Sequence, residues 1–420
     1  MNPITAPITP WNLHADQRPA DVRFARSVAD VQAALADARA AGLRVAPQTT
    51  GHFAAGLPSL EDSLLLRLDF DEEVEIDPVA RVARIPAGRV WDEVVTAAAA
   101  HGLAAMHGSS PTVSPFGYLL GGGLSFYGRA HGLAANHVRA FEVVTPDGAA
   151  RRVDAVQDAE LFWALRGGGG GYAVITAIEL ALLPYAQVTG GALVFQSGSA
   201  RAVLRAWRDW ARTAPTSITT SWRLIHPPDD APVVIVDGVA LDPIAAADLE
   251  ARLRAAAPPV AGGFGPMPAA AVARLHGDPE DPTPGIWDGI NVDHLDDAAI
   301  DDLLRHATPN GPLMITELRQ LGGALAASPA DAGARGHLEG GFILFGLGAP
   351  GATGTAEAIE RRLAELFAAL DRVATGTRFT SFSGFGGSLE QHVDDQALAR
   401  LRAVRAELDP DGLLVAPHLP

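Results

Sequence analysis

An α+β fold is what this sequence predicts, with two α+β subdomains in the first half, a seam near residue 86, and a separate α+β domain from about Thr189. Three observations carry that expectation. Runs of helical spacing alternate with short strand-like runs. Glycine- and proline-bearing turns separate them. At 420 residues the chain also exceeds one comfortable core, so two or three domains are expected.

Val28 to Ala41 places Val31, Leu35 and Ala38 at helical spacing, with Ser27 as N-cap and Gly42 just past the end. Leu43 to Pro47 reads as a buried strand running into a glycine-bearing loop. Ser63–Leu68, Val74–Ile76 and Val82–Ile85 read as short strands, and Val90–His101 as a helix. Arg139–Thr145 and Arg151–Asp154 form a hairpin about Pro146-Asp147-Gly148. Leu161–Leu165 is a short helix and Val174–Pro184 a strand. In the second half, strands Gly190–Phe195, Ser217–Ile225, Val233–Leu241, Leu313–Leu318 and Gly340–Gly346 mix with helices Ala200–Ala214, Ala245–Ala257 and Ala356–Leu370. Pro258–Pro268 and the acidic Gly277–Gly285 read as loops. The second-half strands read as one sheet facing the first half.

Composition narrows the function. A hydrophobic fraction of 48% with 19% charged residues excludes wholesale disorder. Acidic groups outnumber basic ones, 49 to 32, and the charge of -17 repels polyanions, so nucleic acid is not expected as a partner. With no cysteine, disulfides and thiolate metal sites are impossible, and a reducing cytoplasm is the expected compartment. The opening Met1-Asn2-Pro3-Ile4-Thr5-Ala6-Pro7 lacks a secretory pattern. Apolar runs such as Val94–Ala100 fall short of the roughly 20 residues of a membrane span, so no membrane partner is expected. A monomer or homodimer is expected.

Three small-residue loops stand out. They are Thr49-Thr50-Gly51-His52, then Gly108-Ser109-Ser110-Pro111-Thr112-Val113 leading to Gly117-Tyr118-Leu119-Leu120-Gly121-Gly122-Gly123, and Arg166 followed by Gly167 to Gly171. Consecutive amides in such turns make anion-binding concavities, and small side chains let a phosphate approach. One loop alone is weak, and Gly121-Gly122-Gly123 equally reads as a tight bend. No G-x-G-x-x-G opens a helix, which disfavours a Rossmann site. Neither a metal-ligand spacing nor a G-x-S-x-G elbow is present. Three loops and one loop histidine together point to a large anionic cofactor held by main-chain amides.

These motifs resemble the berberine-bridge-enzyme-like FAD-linked oxidases of the vanillyl-alcohol oxidase superfamily, nearly end to end. The resemblance rests on Pro10-Trp11-Asn12, Gln17-Arg18-Pro19, Gln48-Thr49-Thr50-Gly51-His52, Gly108 to Gly123, Gly132 to Val138 and Arg166 to Thr176. Glu317 to Ala324 and Leu408-Asp409-Pro410-Asp411-Gly412-Leu413 complete it. It implies a PCMH-type FAD-binding domain over 1–186, with subdomains of about 1–85 and 86–186. It also implies a substrate domain over 187–385, whose antiparallel sheet is covered by helices, and a return of 386–420 to the first domain. The implied cofactor is FAD, bonded through its 8α-methyl group to His52. The implied cofactor-binding set is Gln48, Thr49, Thr50, Gly51, His52, Ser109, Ser110, Thr112, Val113, Gly117, Leu120, Gly121, Gly123, Val174 and His418.

Two departures from the family pattern matter. Many relatives add a second flavin bond from a cysteine where this chain has Ser110, so attachment here is expected through histidine alone. Ser110 either hydrogen-bonds the ring or stabilises the turn. Relatives usually show Tyr-x-Asn where this chain reads Phe379-Thr380-Ser381, and phenylalanine exchanges no proton. The asparagine common before the last histidine is also missing in Ala416-Pro417-His418.

Candidate replacements are few. Glu317 and Arg319 are two apart on an expected strand and face the same way, which makes Glu317 either a base held by Arg319 or half of a structural ion pair. His337 falls where relatives have a histidine near the flavin, and equally suits packing. Tyr118 and Tyr127 suit core or cofactor packing. His276 and Asp278 suit a lid or a solvated loop. The expected activity is hydride transfer from an organic small molecule to flavin N5, with O2 as acceptor. One alternative is a cyclase of the same fold without net oxidation; another is a flavin-binding protein without catalysis.

Overall fold

The computed structural model describes residues 9–228 and 230–420, so the first eight residues of the expected FAD-binding domain lie outside it. The chain opens with β1 (Asp21–Ala25), α1 (Val28–Ala41), β2 (Arg44–Gln48) and β3 (Ser63–Leu68), whose strands form a parallel sheet in the order β1-β3-β2. Helix α1 forms where its spacing and caps require it. Ser27 accepts from the Asp30 amide, Gly42 closes the helix at φ 69°, and Val31, Ala34, Leu35 and Ala38 are buried. Each full burial of a leucine or valine is worth about 1.5–3 kcal/mol, so this face fixes the helix on the sheet.

A second sheet follows. It contains β4 (Glu75–Asp77), β5 (Val82–Pro86), β6 (Val138–Val144), β7 (Ala150–Asp154) and β8 (Val174–Ala181), ordered β4-β5-β8-β6-β7 and antiparallel. Between β5 and β6 lie α2 (Trp91–Ala99), α3 (Pro115–Leu120) and α4 (Gly128–His131), and α5 (Ala159–Leu165) precedes β8. The boundary between the two sheets falls between Leu68 and Glu75, earlier than the seam expected near residue 86. Strand β5 reaches across to pair with β8, and β4 pairs with β5, a long-range arrangement that local spacing does not reveal.

The third unit is a seven-stranded antiparallel sheet. Its elements are β9 (Gln187–Gln196), α6 (Ala200–Ala211), β10 (Ile218–Ile225), β11 (Val233–Ala240), α7 (Pro243–Ala256), β12 (Ala261–Pro268), β13 (Ile286–Val292), α8 (Asp297–His306), β14 (Ile315–Gln320), β15 (Phe342–Gly348) and α9 (Ala356–Leu370). The strand order is β12-β9-β11-β10-β14-β15-β13. The stretch expected as a Pro/Gly loop, 258–268, therefore contains an edge strand. An edge tolerates Pro266 and Pro268, whose missing N–H groups no outer neighbour needs. The backbones also approach closely there: a Cβ on Gly191 would stand 2.0 Å from the Gly263 carbonyl oxygen.

Alternation decides which face of this sheet is buried under helices. Trp222, Leu224, Val234, Val236, Leu318 and Leu344 point into a core shared with α6 to α9. Trp207 of α6 donates to Thr220, which donates to Gln320, a polar chain that runs through this layer. The opposite face meets the first two sheets. Arg129 of α4 stitches that junction, donating to the carbonyls of Ile218, Ala214 and Leu321. After the sheet, α10 (Asp395–Leu408) packs its Leu398 and Leu401 into the first core, and Val45 bridges Leu414. Among the described residues no helix is long and apolar enough to cross a membrane.

Candidate functional site

Strand β2 ends in the loop that carries His52. Arg67 of β3 donates to the Gln48 side chain at 2.9 Å, and that amide reaches Gln17 at 3.3 Å, which fixes the strand end. Gly51 turns the chain at φ 80°. The amides of residues 50–53 donate to no described residue. His52 stacks on Trp11 with ring centroids 4.1 Å apart. Thr50 Oγ1 lies 2.9 Å from its Nδ1 and Thr112 Oγ1 3.3 Å from its Nε2. Burial lowers its pKa to about 3, so the ring is neutral and keeps a lone pair.

The second loop faces the first. The N-terminal amides of α2 are spent on it, Trp91 N donating to the Val113 carbonyl and Asp92 N to that of Pro111, both at 2.9 Å. The loop's own amides at Ser109, Ser110 and Thr112 donate to no described residue. Ser110 Oγ lies 3.2 Å from Thr112 Oγ1, so Ser110, Thr112 and His52 form one chain of polar contacts. Gly117 and Leu120 belong to α3, which ends at Gly121. Tyr118 packs its ring against Gly108 and Gly123, and its buried hydroxyl has no partner among the described residues. The triglycine bend receives the third domain: a Cβ on Gly121 would stand 2.7 Å from Ser381 Oγ, and one on Gly122 3.1 Å from the Phe379 ring.

Two other expected cofactor residues lie on later segments of the chain. Val174 is fully buried in the five-stranded sheet and paired with Val144. His418 lies beside the first loop, its ring 5.4 Å from Phe53 and 4.8 Å from His392. The five-glycine run alternates positive φ at Gly167, Gly169 and Gly171. It receives Arg335, the His418 carbonyl and Arg405 in turn, so it is where the third domain and the C-terminal return converge.

Across from the loops, the open face of the large sheet carries a buried charge cluster. Register places Arg223 opposite Glu317, and Ser221 opposite both Arg319 and Asp237. Arg319 Nε donates to Glu317 at 2.5 Å, and its Nη2 reaches Ser109 Oγ and His276 Nε2, each at 3.0 Å. His276 Nδ1 faces Asp237 at 2.9 Å, while Arg223 and Ser221 each donate to Asp237 at 2.5 Å. Ser109 donates to Asp278 at 2.8 Å, which ties the second loop to the third domain.

Glu317 and Arg319 thus share a face, as expected, and that face meets the cofactor loops. Burial disfavours the Glu317 carboxylate, yet Arg319 and His276 outweigh it and hold its pKa at about 2. A carboxylate that acidic is a poor proton acceptor, so the structure favours the ion-pair reading of Glu317 over a base. His276 is no lid: it is buried between Asp237 and Arg319, because those charged partners draw the end of the loop inward. His337 is half-buried and makes no hydrogen bond to the cluster. Phe379 is buried in an apolar group with Leu124, Leu133 and Ile343. Sequence reasoning missed Ser221, Arg223 and Asp237. Their polar alternation within apolar strands was the available signal.

The two runs of unpartnered amides and the neutral imidazole between them suit a diphosphate cofactor with a reactive methyl group, as FAD is. The FAD binding domain family matches residues 19–154, and FAD is the cofactor. Glucooligosaccharide oxidase of Sarocladium strictum is 31% identical over 218 residues, 50% of this chain and 44% of that protein. (R)-6-hydroxynicotine oxidase of Paenarthrobacter nicotinovorans is 31% identical over 182 residues, 43% and 40% of the two chains. The matching stretch therefore spans less than half the length of these relatives. Among solved structures, 6-hydroxy-D-nicotine oxidase from Arthrobacter nicotinovorans superposes with a TM-score of 0.84 at 23% identity, covering 96% of this chain and 92% of that one. Physcomitrella patens BBE-like 1 gives 0.84 at 19%, covering 97% and 92%. Glucooligosaccharide oxidase from Acremonium strictum, described with a 6-S-cysteinyl, 8α-N1-histidyl FAD, gives 0.78 at 21%, covering 96% and 92%. The fold is that of the PCMH-type FAD oxidases.

Proposed function

We propose that this chain, built on the fold of the FAD-linked oxidases, is an FAD-dependent oxidase whose flavin is attached through His52 alone. The observation that carries the reading is the half-buried, neutral His52 set between two loops whose amides donate to no described residue. When bound, FAD supplies the acceptor for hydride and passes the electrons to O2. The amides of residues 50–53 and of Ser109, Ser110 and Thr112, which donate to no described residue, would hold its negative charge as N–H donors. Thr50 and Thr112 orient the imidazole, and its low pKa keeps the lone pair available for bonding. With no cysteine in the chain, Ser110 contributes a hydrogen bond and no second tether.

On the substrate side, Arg319 is the orienting group. Glu317 and Ser109 hold two of its nitrogens, while Nη1 makes no hydrogen bond to a described residue and is free for a substrate oxygen. Beside it the face turns aromatic: Phe345 and Phe382 meet edge-on at 5.5 Å, and Trp287 lies 6.2 Å from Phe53. That pairing suits an organic substrate, a secondary metabolite, with an apolar body and one polar end to fix the reacting carbon. Supplying secondary alcohols and amines to the purified protein tests the activity. O2 consumption with equimolar H2O2 supports it; a yellow protein inert to every such donor counts against it. A second reading, a cyclase without net oxidation, is favoured by Phe379 at the position of the usual tyrosine. Substrate turnover without any O2 uptake distinguishes it.

A further inference from the structure

His276 lies on the segment that joins β12 to β13, strands at opposite edges of the large sheet. Arg223 of the central strand β10 draws this segment across the open face, donating to the His276 carbonyl at 2.7 Å. The His276 side chain is 2% exposed, whereas that of Arg319 beside it keeps 13%. A substrate can therefore meet the arginine but not the histidine.

The bonds around the ring fix where its hydrogen sits. Asp237 offers acceptors only: Oδ1 takes Ser221, and Oδ2 takes Arg223 and His276 Nδ1, the last at 2.9 Å. Nδ1 therefore carries the hydrogen, and in the neutral ring Nε2 is bare. Arg319 Nη2 has two hydrogens to place. One goes to Ser109 Oγ, whose own hydrogen is spent on Asp278, and the other goes to His276 Nε2 at 3.0 Å. Glu317 takes the Nε hydrogen. Three acceptors thus clamp one guanidinium, and its Nη1 makes no hydrogen bond to a described residue.

A second proton on the ring reverses one of these contacts. Nε2–H then faces an N–H of a cation, and the acceptor left to it is Glu317 Oε2 at 3.4 Å, on the carboxylate that already holds Arg319. Burial opposes that proton, as do the Arg223 and Arg319 guanidinium groups. The Asp237 and Glu317 carboxylates outweigh them and raise the pKa above its ordinary 6.5. Of the other groups nearby, Asp278 faces Arg319, and the Tyr118 phenol of α3 stays neutral because burial raises its pKa.

We infer that His276, oriented by Asp237, is the positioning residue of Arg319: its bare Nε2 holds the guanidinium ready for a substrate oxygen, and a proton there releases it. The inference rests on the reading of Arg319 as the orienting group of an oxidase, but the coupling between the two side chains is measurable without a substrate.

Nitrogen NMR of the flavin-loaded protein, labelled in arginine and histidine, reads that coupling. The Arg319 Nε signal, assigned by its loss in Arg319→Lys, should step as the pH falls through a midpoint above 6.5, and the His276 ring should titrate at the same midpoint. His276→Gln offers Arg319 an acceptor that takes no proton, so the step should vanish. With an alcohol substrate, KM should rise about tenfold on the acid side of the midpoint while kcat holds, and should stay level in His276→Gln. An Arg319 signal that is flat in the wild type, or that steps alike in His276→Gln, overturns the proposal. A KM indifferent to the wild-type step overturns the positioning role. Should His276→Gln fail to fold, His276→Asn takes its place: it keeps the Asp237 side of the ring and is too short for Arg319. The step must vanish there too, and its persistence counts against the coupling. A protein that shows the step yet oxidises no donor upholds the coupling and sinks the oxidase reading. One that oxidises donors with a flat Arg319 signal does the reverse.

Discussion

Thr112 Oγ1 lies 3.3 Å from Nε2 of His52, so two loops sixty residues apart in sequence meet at a single imidazole. The contact does two things at once. It registers the first sheet against the second, and it holds a neutral histidine between two loops whose amides donate to no described residue. Fold and chemistry are joined at this point, and several consequences are measurable.

Stability should fall in acid earlier than carboxylate titration explains. His392 and His107 are buried, and burial is the first cause of their depressed pKa values, about 3 and about 4. Unfolding returns each to about 6.5, so the unfolded chain binds more protons than the folded one below that pH. The stability these neutral rings contribute is complete above pH 6.5 and declines as the pH drops toward 4. The urea midpoint should decrease steadily over that interval. A flat profile down to about pH 4.5 would show that these rings titrate normally.

Removing Arg319 should be more damaging than removing the pair. Arg319→Met leaves Glu317, which is buried, with its principal cation gone. Stranding such a charge costs about 3–5 kcal/mol. The double variant Glu317→Gln with Arg319→Met should recover most of that stability, because no orphan charge remains. Additive losses in chemical denaturation would mean the two side chains are energetically independent.

Phe379→Tyr should destabilise the protein without restoring a proton acceptor. The ring is 1% exposed among Leu124, Leu133 and Ile343, and a hydroxyl buried there without a partner costs about 1–3 kcal/mol. Thermal unfolding of the variant should occur at lower temperature with no gain in substrate oxidation. An unchanged melting temperature with faster oxidation would show that the missing phenol is the limitation.

Local signals told the truth where local forces decide. Ser27, Gly42 and the spacing of Val31, Leu35 and Ala38 were enough to define α1 to the residue. The loops at His52 and Ser109 were legible because glycine and hydroxyl residues announce them. The sheet boundary was not, since β5 finds β8 about a hundred residues later. Strand β12 hid behind Gly262, Gly263, Pro266 and Pro268, which an edge position accepts. β13 was missed because Asp288 and Gly289 interrupt its apolar pattern. The Arg223–Asp237–His276 cluster left only a partial trace, the polar alternation at Ser221 and Arg223, because cross-strand register assembles the rest.

The covalent tether is the centre of the account, and acid precipitation of the purified protein tests it most directly. The wild-type pellet should stay yellow and fluorescent, while His52→Ala should release its flavin to the supernatant or bind none. Wild-type colour moving wholly into the supernatant, or a His52→Ala pellet that keeps its flavin, would contradict attachment at this imidazole.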